Sequence, residues 1–193
     1  MRLFVAVDLT DAAKEAIAAY QKRIADALSK SREALRLVKP AHMHLTLLFL
    51  GEVEEARVPA FIESMNVDAK VAPFEMAFGG LGVFPARGAP RVLWMGVTQG
   101  AESLTRLQAE IAERARALGL TIDDRTFNAH LTLGRWRASR SSDRAKALAA
   151  AQRGNIARVH VDCATLYQSR LSPAGSTYTP LARVTLTDVG IGD

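Results

Sequence analysis

The chain is poor in the residues that mark several common protein classes. It has one cysteine, Cys163, among 193 residues. One thiol excludes an intramolecular disulfide and any metal cluster built on cysteines. Aromatic residues make up 6% of the chain and only two are tryptophan, so few rings are left over once a core of this size has been filled. No stretch reaches the roughly 18 apolar residues that cross a membrane. The start, MRLFVAVDLTD, carries a short apolar run interrupted by Asp8 and no small-residue cleavage site. It does not read as an export signal, and a cytoplasmic protein is expected. There is no glycine-rich phosphate loop of the Walker type and no dinucleotide fingerprint. A reaction driven by ATP or NAD therefore has no visible site, and no cofactor is expected.

What remains is an ordinary globular composition with a basic tilt. The apolar fraction is 49% and the formal net charge is +5, which favours anionic partners such as nucleic acid. The length fits one domain, or two small lobes sharing a core. The most informative feature is a repeat. HLTL occurs at His44-Leu45-Thr46-Leu47 and again at His130-Leu131-Thr132-Leu133, and these copies hold two of only four histidines. Each copy alternates polar and apolar residues, the pattern of a half-buried strand. Residues two apart on a strand share a face, so each copy presents one imidazole and one hydroxyl together.

The rest of the chain falls into two similar halves. Residues 2–8 read as a strand, and Thr10 or Asp11 caps a helix over 11–30. A short extended stretch, 35–40, leads to the first His/Thr strand at 43–50. A helix over 53–65 and a strand over 72–78 follow. The second half has a strand over 91–98, then a helix over 101–118 ending at Gly119. It continues with the second His/Thr strand at 129–136, a helix from Ser141 to about Gln152, and one or two strands over 156–170. Segments 79–90 and 171–180 are rich in glycine and proline and read as loops or hairpin tips. The expected fold is α+β and bilobal, a pseudo-two-fold duplication. Each lobe is an antiparallel sheet with helices on its outer face, and the lobes flank a central cleft. Residues 1–193 form one domain, with lobes of roughly 1–80 and 90–170 and a C-terminal hairpin.

Two lobes related by a dyad bring His44 and Thr46 opposite His130 and Thr132. One imidazole then takes a proton from a nucleophile while the other gives one to a leaving group. The threonine hydroxyls can donate to the non-bridging oxygens of a phosphate. Arg135, in HLTLGRW, can make a bidentate phosphate contact. Phe49 stands at the matching offset of the first copy, so the pseudo-symmetry breaks there. His42 with His44 makes a His-x-His pair, and His130 could add a third metal ligand. No Asp, Glu or Cys stands at a supporting spacing, so no metal site is expected. His160 and Cys163, in an alternating Val-rich run, read as structural. Phe84, Trp94, Trp136 and Tyr178 are possible base-stacking rings, although strand cores also use such residues.

These segments together resemble the two-histidine phosphoesterase superfamily. Within it they resemble the bacterial and archaeal RNA 2′,3′-cyclic phosphodiesterases, also called 2′-5′ RNA ligases. The resemblance rests on RLFVAVDL, HLTLLFLGEV, GLGVFP with PRVLW, NAHLTLGR and LYQSRLSPAGSTYTPLAR, and so covers nearly the whole chain. It implies a metal-independent hydrolysis of RNA 2′,3′-cyclic phosphate ends to 2′-phosphomonoesters, with ligation as the reverse reaction, by a monomer. It implies His44 as proton donor to the leaving 3′ oxygen and His130 as the base that activates water. Thr46, Thr132 and Arg135 match positions that contact phosphate. Leu37 and Leu48 depart from the pattern, where many relatives carry Trp and Lys, which bears on substrate rather than chemistry. Other readings keep the site and change the substrate, to small cyclic nucleotides or 2′,5′-oligonucleotides, or keep only RNA binding.

Overall fold

The computed structural model describes residues 1–28, 34–122, 125–172 and 175–188. The first half contributes β1 (Arg2–Asp8), α1 (Asp11–Leu28), β2 (Leu35–Leu37), β3 (His44–Glu52), α2 (Val58–Met65) and β4 (Phe74–Phe84). The second half contributes β5 (Val92–Gln99), α3 (Ala101–Ala117), β6 (His130–Trp136), α4 (Ser141–Ala149), β7 (Asn155–Val161), β8 (Cys163–Ser172) and β9 (Gly175–Thr185). Thr10 caps α1 as expected, its Oγ1 accepting from the Ala13 N–H at 3.3 Å. The helix expected over 53–65 starts later, because a 3-10 turn at Glu55–Arg57 precedes α2. Pro59 lies in the first turn of α2, where its missing N–H costs nothing. Residues 29–30 of the first expected helix lie outside the described residues. Among the described residues, no helix is long and apolar enough to cross a membrane.

The strands form two antiparallel sheets, in the orders β3-β1-β8-β9 and β2-β6-β5-β4-β7. The duplication is visible in their registers. On β1 and β3, Asp8 opposes His44 and Ala6 opposes Thr46. On β5 and β6, Gly96 opposes His130 and Trp94 opposes Thr132. The duplicated units nonetheless interleave, contrary to the lobe bounds of roughly 1–80 and 90–170. β2 and β4 from the first half lie in the second sheet, while β8 and β9 close the first. The helices interleave too. α1 packs on β7 and α4, whereas α3 packs on β3 and α2. The chain passes between sheets at Asp162, which separates β7 from β8 and divides the run expected over 156–170.

The glycine-rich segment 79–84 is a strand rather than a loop. β4 runs through it and pairs with both β5 and β7. Glycine is there to make room: a Cβ on Gly82 would lie 2.0 Å from the Trp94 indole, which crosses over it from β5. The described residues of 171–180 are strand, 171–172 ending β8 and 175–180 opening β9 with Ser172 paired opposite Gly175; residues 173–174 lie outside the described residues. Pro180 is paired opposite Tyr167 on the edge strand β9, where a missing N–H is tolerated.

Each His/Thr strand carries a β-bulge at the same place. Val5 and Ala6 on β1 oppose Leu48 and Thr46, so Leu47 is the extra residue of β3. Leu93 and Trp94 on β5 oppose Gly134 and Thr132, so Leu133 is the extra residue of β6. A bulge shifts the phase of alternation by one. Both strands accordingly bury their second, fourth, fifth and seventh residues and leave the sixth exposed. The bulge in β6 is tied down by α1. The Leu133 carbonyl accepts from the Val38 N–H at 2.9 Å and from Gln21 Nε2 at 2.7 Å. Gln21 also donates to the Val38 carbonyl at 3.1 Å, and its side chain is buried. Buried amides need such partners.

Replacing Gln21 by Ala removes a buried clamp between helix and bulge. Denaturant unfolding should show a loss of about 0.5–1.5 kcal/mol for each hydrogen bond removed, since the Leu133 carbonyl keeps the Val38 N–H. A variant as stable as the parent would contradict the clamp.

Candidate active site

The two histidine strands belong to different sheets, yet they approach each other with Cα atoms within 8 Å. β3 is the outer strand of its sheet, and β2 leads into it through the 3-10 turn Pro40–His42. This short connection joins the sheets beside the histidines. Behind each histidine the strand is anchored by leucines: Leu45, Leu47, Leu131 and Leu133 are all at most 3% exposed. His44, Thr46, His130 and Thr132 are half-buried on the opposite face.

The bulges decide what joins them there. Under strict alternation Arg135 would face the core and Gly134 would share the face of His130. With Leu133 as an extra residue, Arg135 instead opposes Val92, which shares a face with Trp94 and hence with Thr132. Arg135 is exposed on the histidine face. Gly134 turns inward, where a Cβ would lie 3.0 Å from Leu35 and 3.1 Å from the Arg36 carbonyl. Its smallness thus serves the approach of β2 rather than of a ligand. The same shift puts Phe49 on the histidine face of β3, 59% exposed. Leu48 is 4% exposed in the core, and Leu37, opposite Gly134, packs partly buried against it.

Each imidazole is held from behind by the carbonyl two residues upstream. His130 Nδ1 lies 2.7 Å from the Asn128 carbonyl oxygen. A carbonyl only accepts, so Nδ1 carries the proton and the neutral ring leaves Nε2 bare. His44 makes a hydrogen bond to the His42 backbone. Aromatic rings enclose both. Phe4 stacks on His44 with centroids 4.9 Å apart, and Tyr178 stands edge-on at 5.2 Å. Phe84 and Trp94 flank His130 at 5.4 and 6.0 Å. Three of the four expected stacking rings therefore surround the histidines, whereas Trp136 is in the core, 7% exposed. The side chains of Thr46, Thr132 and Arg135 make no hydrogen bond or ion pair with another described residue.

The environments differ in charge. Asp8 faces His44, while the matching position opposite His130 is Gly96. The Asp8 carboxylate is fixed by Thr165 Oγ1 at 2.8 Å and the Tyr167 hydroxyl at 2.7 Å. Burial, and then this carboxylate, holds the Tyr167 phenol far above its usual value, so it stays a donor. Burial lowers the His44 pKa from 6.5, and Asp8 partly offsets that by favouring the imidazolium. Sequence reading missed this network. Its only trace was a charged residue closing an apolar strand, and pairing Asp8 with His44 needs the register. His42 lies edge-on to Tyr178, 5.4 Å away. His160 sits away from the site, with Nδ1 2.7 Å from Glu75. Burial and Asp162 push the half-buried Cys163 thiol up to about 11, so it is no nucleophile at neutral pH. Among the described residues, no group of three or more His, Cys, Asp or Glu is placed to hold a metal ion.

Two antiparallel sheets meeting along duplicated His/Thr strands define a two-lobe phosphoesterase. The model of the LigT-like phosphoesterases matches this chain twice, over residues 7–94 and 96–178, one His/Thr strand in each. The chain belongs to that family. It is 36% identical over 181 residues to the RNA 2′,3′-cyclic phosphodiesterase of Archaeoglobus fulgidus, covering 94% of this chain and 98% of that protein. It is 32% identical to the enzyme of the same name from Methanothermobacter thermautotrophicus, covering 94% and 96%. Among solved structures it is similar to E. coli LigT complexed with 3′-AMP. The TM-score there is 0.76 at 28% identity, over 97% of this chain and 98% of that one.

Replacing Asp8 by Asn removes the anion that favours the charged form of His44. The His44 pKa, followed by NMR of its ring carbon, should fall further. An unchanged or raised value would contradict the electrostatic role of Asp8.

Proposed function

We propose that this protein hydrolyses the 2′,3′-cyclic phosphate at the end of an RNA chain to a 2′-phosphomonoester. His130 acts as base and His44 as acid. The names of the relatives support the substrate. The observation that supports the chemistry is that β3 and β6, with Cα atoms within 8 Å, each carry a His and a Thr on their half-buried face, with Arg135 beside the second pair. All of them come from one chain, which supports action as a monomer. The single thiol, held protonated, fits the reducing cytoplasm.

In this reading the bare Nε2 of His130 takes a proton from water as its oxygen bonds to phosphorus. The bond from phosphorus to O3′ breaks, and protonated His44 delivers its proton to O3′. Thr46 and Thr132 donate to the two non-bridging oxygens, and Arg135 offsets the charge that grows there. Holding the group between fixed donors supplies much of the rate. Ligation is the same path with the 5′-hydroxyl of a second RNA in place of water: O5′ bonds to phosphorus as the bond to O3′ breaks, leaving a 2′-5′ phosphodiester.

The acid role must contend with the lowered pKa of His44. Bound substrate helps: the cyclic phosphate is an anion, and an anion beside an imidazole favours the imidazolium. The free enzyme and the complex should therefore differ. The alkaline limb of kcat/KM reports free His44 and should lie below 6.5. The alkaline limb of kcat should lie higher. Coincident limbs at or above the ordinary histidine value would contradict the assignment.

Replacing His44 or His130 by Ala should lower turnover of an oligoribonucleotide 2′,3′-cyclic phosphate by about 10²–10⁴-fold each. Activity should survive EDTA, and product mapping should find phosphate on the 2′ oxygen. Full activity in both variants, or RNA bound without turnover by the parent, would overturn the proposal.

A further inference from the structure

Arg36 is a residue for which the chemistry above has no use. It lies on β2 opposite Arg135 of β6, so the two side chains share the histidine face. Both are exposed. Directly opposed residues have Cβ atoms about 4.5–5.5 Å apart, and like charges in that relation are destabilising. Neither guanidinium has a hydrogen bond or an ion pair with another described residue. Among the described residues no carboxylate pairs with either side chain. The repulsion is not incidental to the surface, because the β6 bulge turns Arg135 to this face and the Val38–Leu133 bond aligns β2 against it.

We propose that Arg36 forms a subsite for a second phosphate beside Arg135: Arg135 stays on the cyclic phosphate while Arg36 holds the phosphodiester that joins the terminal nucleotide to its neighbour. The inference rests on reading the site as one for cyclic phosphate ends. Charge decides between one phosphate and two. A cyclic phosphodiester carries a single negative charge and two non-bridging oxygens. The two threonine hydroxyls and protonated His44 already answer these, and Arg135 is within the same face. A second guanidinium calls for a second anion, and an RNA strand supplies one per nucleotide. The two stems can splay from adjacent Cβ atoms to meet successive phosphates, each through a planar fork. Arg36 would thus make the enzyme prefer chain ends to free cyclic nucleotides.

The test compares uridine 2′,3′-cyclic phosphate with the dinucleotide UpU 2′,3′-cyclic phosphate, which adds one internal phosphate. The parent should prefer the dinucleotide in kcat/KM by tenfold or more. Arg36→Gln should cut that ratio at least fivefold, and Arg170→Gln, an exposed charge on β8, should leave it. A second readout needs no turnover. Affinity for UpUp, which ends in a simple phosphate, should depend on salt more steeply in the parent. Its log–log slope should exceed that of Arg36→Gln by about 0.7, the value for one contact on a single strand. An unchanged ratio with an unchanged slope overturns the subsite. So does an equal loss on both substrates, which would place Arg36 on the cyclic phosphate itself. If the parent turns over neither substrate, the hydrolase reading fails, and the salt slopes still decide Arg36.

Discussion

A single extra residue in each histidine strand governs what this site contains. Without the bulges at Leu47 and Leu133, His, Thr and the sixth residue of each strand could not share a face. With them, β6 carries an acid–base group, a hydroxyl and a guanidinium on one side while leucines fill the other. The bulge leaves a backbone carbonyl out of the ladder, and the fold supplies its partners: the Val38 amide and the buried Gln21 side chain accept that task. One helix residue, one strand entry and one bulge are therefore linked. The link fixes Arg135 and, through β2, Arg36.

The duplication supplies two matched scaffolds, and the differences between them supply direction. Both imidazoles are anchored by a carbonyl two residues back and walled by aromatic rings. Among the described residues His44 faces a carboxylate, that of Asp8, held in place by Thr165 and Tyr167 from β8, whereas Gly96 stands opposite His130. An anion beside one ring and a glycine beside the other is the asymmetry that a divided acid–base role requires. The sixth residues differ in the same spirit, with exposed Phe49 on one side and exposed Arg135 on the other.

Much of this was legible in the sequence, and the limits have physical reasons. The HLTL repeat gave both strands, their buried leucines and their paired polar residues, because alternation is a local signal. The lobes as contiguous halves were not legible correctly, since strand partners are chosen across the chain: β4 pairs with β5 and β7, and β8 with β1. The glycines of 79–82 were read as loop because a rule about glycine sees no neighbour, here the Trp94 indole. Arg135 stood out by spacing alone, but the reason it shares the histidine face is a bulge that no alternating pattern shows. Asp8 and Arg36 became visible only through their opposite numbers across the sheet.

The most direct test is a crystal structure of the protein with a nucleoside 2′,3′-cyclic vanadate, which mimics the five-coordinate phosphorus. The account predicts the vanadium between the two rings. His130 Nε2 should lie about 3 Å from the oxygen in the water position, and a nitrogen of His44 about 3 Å from O3′ on the far side. A vanadate held by one histidine alone, with the other ring out of reach or turned into the protein, would contradict it.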